Sequence, residues 1–93
     1  MLIREITSEA VRAAIRECNE RGRDRFLEHY GFKRARSYYL LFEGKFDDSK
    51  AILGVAHRHQ FPGRRRLKPS DFSGGKHTVK PRLESLGFEV VVK

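Results

Sequence analysis

Apolar positions recur along the first third of this chain at helical spacing. Val11, Ala14, Ile15 and Cys18 fall at i, i+3, i+4 and i+7, and Thr7 and Ser8 followed by Glu9 supply cap chemistry, so a helix is predicted to about Gly22. A shorter helix should follow from Arg23, burying Phe26, Leu27 and Tyr30, and Gly31-Phe32 has the form of a glycine cap with its apolar contact. The period then changes to two. From Ser37 to Glu43, Tyr38, Leu40 and Phe42 alternate with Tyr39 and Leu41, Glu43-Gly44-Lys45 reads as a turn, and Phe46 begins the return of a hairpin.

Asp47, Asp48 and Ser49 offer N-cap chemistry to a third helix with Ala51, Ile52, Val55 and Ala56 as its buried stripe, ended by Pro62-Gly63. A long cationic loop to about Gly75 is expected next. Val79, Leu83 and Leu86 mark a last helix that stops at Gly87, and Phe88 to Val92 a strand that returns to the hairpin. Pro81 sets where that helix starts: inside it, proline would lose a hydrogen bond and clash, at about 3 kcal/mol. With Thr78 as N-cap it falls in the first turn, where its missing N–H has no intrahelical partner. The expected fold is α+β, in the order α-α-β-β-α-loop-α-β, a short antiparallel sheet packed by helices in one domain over residues 1–93.

Charge changes the picture more than composition does. From His57 to Arg82 there are eight Lys and Arg against Asp71 alone, so this segment holds seven of the eight net positive charges. Residues 1–56, with 11 basic and 9 acidic side chains, are nearly neutral. An excess confined to one segment points to a polyanion, nucleic acid ahead of an anionic membrane surface. A hydrophobic fraction of 39% argues against disorder, and a lone Cys18 on an apolar helical face reads as a buried packing residue that requires no oxidising compartment. No apolar run approaches the roughly 18 residues of a membrane span, and MLIREITSEA has charges where a signal peptide needs its apolar region. A cytoplasmic location is expected, with no membrane partner.

Four groups of residues could carry binding. Ser73-Gly74-Gly75-Lys76, with His77, places two residues without side chains beside a hydroxyl and an ammonium group, suited either to a phosphate clamp or to a tight turn with a solvated lysine. Ser49 and Lys50 offer a similar contact at the third helix, although Asp47 and Asp48 would repel phosphate there and act as caps. Arg64, Arg65, Arg66 and Lys68 suit backbone neutralisation better than base reading, because neighbours on an extended loop point apart. Lys33, Arg34 and Arg36 form a second basic cluster, either on the same face or as a solvated approach to the hairpin. Tyr38 and Tyr39 should face opposite sides of the sheet, which leaves Phe72, among polar loop residues, as the better candidate for an exposed stacking ring.

Catalysis and metal binding are disfavoured by spacing. His57 and His59, two apart on a helix, diverge by about 200 degrees, and neither an HNH metal motif, a nucleophile–base arrangement nor a zinc-finger spacing is present. No cofactor is expected.

Three stretches carry a likeness to a known family: YGF-x-R-A-R-x-Y at Tyr30 to Tyr38, DSKAI-x-GVAH at Asp48 to His57, and SDFSGG at Ser70 to Gly75. With the surrounding sequence they resemble the N-terminal head domain of McrA-like HNH restriction endonucleases of the ScoMcrA type, over nearly the whole chain. The resemblance implies a non-catalytic, DNA-associated module ahead of separate modified-base readers and a C-terminal HNH nuclease in a parent chain. The expected function is double-stranded DNA binding within a modification-dependent endonuclease, with a modified base as an open target. The alternative is an interdomain docking module whose basic face attracts DNA only generally.

Overall fold

A computed structural model describes residues 5–73 and 75–93. The first helix, α1 (Ser8–Arg21), starts where Thr7 Oγ1 accepts from the Ala10 amide at 3.2 Å, and it buries Val11, Ala14, Ile15 and Cys18. Helix α2 (Arg23–Tyr30) follows at once and ends in a left-handed Gly31, with the Phe32 amide reaching back to Leu27 O at 2.9 Å. That bond closes a helix C-terminus of the Schellman type and delivers the Phe32 ring to the core. The last helix, α4 (Val79–Ser85), closes in the same way, with Gly87 at φ 90° and the Phe88 amide on Leu83 O at 3.0 Å. Pro81 lies in its first turn, as the backbone chemistry requires.

Strands β1 (Tyr38–Phe42), β2 (Lys45–Asp48) and β3 (Glu89–Val92) form an antiparallel sheet in the order β2-β1-β3, with Leu40 opposite Asp47 on one side and Val90 on the other. Glu43 and Gly44, at φ 51° and 77°, make the two-residue turn, a conformation that matches strand twist. Tyr38, Leu40 and Phe42 face the core, and Tyr39, Leu41, Phe46 and Val91 lie on the opposite face. Helix α3 (Ser49–Gln60) is the central element: Ala51 to His57 are all buried, α1 packs along it, and the sheet covers its start. The element order and α+β class are those read from the sequence, with one addition. The cationic loop contains a 3-10 turn, Pro69–Asp71, and is anchored in the core by Leu67 and Phe72.

Candidate nucleic-acid interface

The connection between α2 and β1 carries Lys33, Arg34 and Arg36, and buried polar groups hold it in one shape. Asp48 Oδ1 accepts from the Ala35 amide at 2.7 Å, while Tyr39 O–H donates to Ala35 O and Ser49 O–H to Tyr38 O, each at 2.8 Å. Arg23 grips Asp48 from the other side with Nε and Nη2 at 2.8 and 2.7 Å. Burial alone would push the Asp48 pKa up, but the guanidinium fork and the Ala35 N–H outweigh it and hold the carboxyl below its ordinary value. The charge therefore persists at neutral pH and fixes the connection against the start of α3.

Between that connection, the first turn of α3, Pro69 and Gly75 lies an open pocket of about 490 Å3. Its apolar lining includes Phe32, Ala35 and Tyr38, and Gly75 sits so close to the Tyr38 ring that a Cβ there would stand 3.0 Å from it. Four cations border it: exposed Lys33, Arg34 and Arg36, and half-buried Lys50. Arg34 pairs with Asp24. Lys33 and Arg36 have no side-chain partner among the described residues. Lys50 Nζ donates to Pro69 O at 2.6 Å and stands 5.1 Å above the Phe72 ring, and burial lowers its pKa. An ammonium so placed has further N–H donors for an incoming acceptor.

The arginine run splays along the loop. Arg64 pairs with Glu5 and covers the Phe61 ring at 4.0 Å, Arg65 pairs with Asp71 at 3.1 Å, and Arg66 lies 5.5 Å over the Tyr30 ring, whose O–H donates to Glu17. Such exposed pairs contribute little and exchange readily for another anion. Arg64 lies toward Glu5, and none of the three arginines lines the pocket. Lys68, Ser73, Lys76 and His77 are exposed. Gly74 lies outside the described residues, and Gly75 is buried, with its carbonyl accepting from the Lys80 amide.

Among the described residues no three His, Cys, Asp or Glu side chains come together as a metal site. His57 is fully buried against Phe61, whereas His59 Nε2 stands 2.7 Å from Glu17 Oε1. None of the helices with described residues is long and apolar enough to cross a membrane.

A family model described as the ScoMcrA-like N-terminal head domain matches residues 4–92. The chain belongs to this family. No curated protein and no solved structure matches it. In this head domain the three stretches that carry the sequence resemblance, Tyr30 to Tyr38, Asp48 to His57 and Ser70 to Gly75, all contribute to the lining of the pocket.

Three expectations about the head domain's side chains need correction. Phe72 is not an exposed stacking ring: it is 7% exposed and packs near Phe32, because a large apolar side chain in a polar loop gains more as an anchor than in water. Ser49 cannot offer its hydroxyl outward, since it is buried and used on Tyr38 O. Asp48 occupies the N-cap position without a side-chain capping bond, its oxygens being taken by Arg23 and Ala35. Arg23 itself was missed by sequence reasoning. It lies 25 residues from Asp48, and no local spacing marks such a pair.

Proposed function

We propose that this head domain binds double-stranded DNA as a non-catalytic module of a modification-dependent HNH restriction endonuclease, ahead of its modified-base reader and nuclease domains. The observation that carries the reading is the convergence of Lys33, Arg34, Arg36 and Lys50 around one pocket, with Lys33 and Arg36 unpaired among the described residues. Cations left without partners on a rigid surface are suited to exchanging DNA counterions. Arg64, Arg65, Arg66, Lys68 and Lys76 would add phosphate contacts along the loop, Arg64 and Arg65 by releasing Glu5 and Asp71. These contacts position the module and carry no base preference.

A second reading, docking onto other domains of the parent chain, draws on the outer face of the sheet. Phe46 is 42% exposed there, beside Leu41 and Tyr39, with Lys93 Nζ 3.6 Å above its ring. A titration of the pure domain with matched unmodified, 5-methylcytosine, 6-methyladenine and phosphorothioate duplexes at fixed salt separates the cases. Binding of every duplex supports the module, a preference for one supports a reading role, and binding of none leaves docking.

A further inference from the structure

We infer that the pocket beneath Lys33 and Arg36 receives a single nucleobase that has left the DNA stack, an inference that rests on the duplex-binding reading above. The volume, about 490 Å3, is in the range of small-ligand sites and exceeds what one base needs. Its chemistry is divided as a nucleotide's is. Phe32, Ala35 and Tyr38 give an apolar, partly aromatic lining for a flat ring, and Lys50, half-buried and already oriented by Pro69 O, offers a donor to a base oxygen or ring nitrogen. Lys33 and Arg36, exposed and unpaired among the described residues, stand where the attached phosphate would remain in solvent. An apolar ligand would have no use for these cations, and an inorganic anion none for the rings.

The site is also preorganised. Asp48 on the Ala35 amide, Tyr39 on Ala35 O and Ser49 on Tyr38 O set the lining before any ligand arrives, so little ordering is left for binding. Extruding a paired base costs unstacking and unpairing, and an unpaired base avoids most of that cost. A duplex with one single-base bulge should therefore bind more tightly than its fully paired counterpart.

The test uses the whole chain and three duplexes: fully paired, carrying one unpaired base, and carrying an abasic residue at that same bulge. The expected result is at least about tenfold tighter binding of the unpaired base than of either other duplex. Ala35→Phe, which fills the pocket without altering charge or the Ala35 backbone bonds, should bring that ratio close to one. If Ala35→Phe does not fold by circular dichroism, Lys50→Met should lower the ratio instead. Equal affinity of the wild-type chain for all three duplexes overturns the pocket inference and leaves duplex binding standing. So does a ratio unchanged in the folded variant, whereas failure to bind any duplex removes both.

Discussion

Arg23 on α2 holds Asp48 at the β2–α3 junction in a two-pronged bond, and through the Ala35 amide that carboxylate positions the whole connection between α2 and β1. Asp48 is 4% exposed, so removing its partner leaves a buried charge with one remaining backbone donor. Arg23→Ala should cost about 2 kcal/mol, less than a fully buried pair because the guanidinium is partly in solvent. Asp48→Asn should cost less than Arg23→Ala, and the double variant should be less destabilised than the sum. The Asp48 pKa lies below 3.8, so this stabilisation is present above about pH 4 and is lost as pH falls through the folded value. Urea denaturation of the four proteins measures the coupling, and strict additivity would contradict it.

Gly54 gives the Phe32 ring its place against α3. A Cβ at Gly54 would stand 2.5 Å from Phe32 Cζ. Gly54→Ala should therefore lower stability by about 1–3 kcal/mol, despite alanine's better helix propensity. Adding Phe32→Leu should recover part of the loss, as seen in denaturant midpoints, because the shorter side chain vacates the clash.

His57 is buried, and neither ring nitrogen has a hydrogen-bond partner among the described residues. Burial first, and Arg64 second, hold its pKa below 6.5 against the opposing charge of Glu5. In the window between the folded pKa and 6.5 the unfolded chain binds more protons, so stability is full above about pH 6.5 and declines as pH falls. Melting temperatures at about pH 5.5 and 7.5 should show that decline in the parent and a shallower one in His57→Leu. Equal declines in both proteins would remove His57 as the cause.

Cys18 donates its thiol proton to Asp47 Oδ1 at 3.6 Å, and burial, reinforced by Asp47, pushes its pKa up to about 11. A protonated, buried thiol is a poor nucleophile. Labelling by an aromatic disulfide at pH 7.5 should be at least about 100-fold slower in the folded protein than in urea. Rapid labelling of the folded chain would show that the α1 packing face opens.

The element order was legible because local chemistry repeats it: Thr7 caps α1, Gly31-Phe32 and Gly87-Phe88 end two helices alike, and Tyr38, Leu40 and Phe42 alternate across β1. The candidate interface was legible only as charge. Its shape depends on pairings that no periodicity encodes, between Arg23, Asp48 and Ala35, and between Lys50 and Pro69. Leu67 and Phe72 were the signal available for the loop's course. Two large apolar residues isolated in a cationic segment mark where it returns to the core.

The salt dependence of duplex affinity tests the DNA-binding reading most directly. If about four to six phosphates are neutralised, the slope of log affinity against log salt should be near −4 to −5. Replacing Lys33, Arg36 and Arg66 together by Ala should reduce its magnitude by up to about three units while weakening all duplex sequences alike. A flat response in the parent, or an unchanged slope in the triple variant, would contradict DNA binding through these cations.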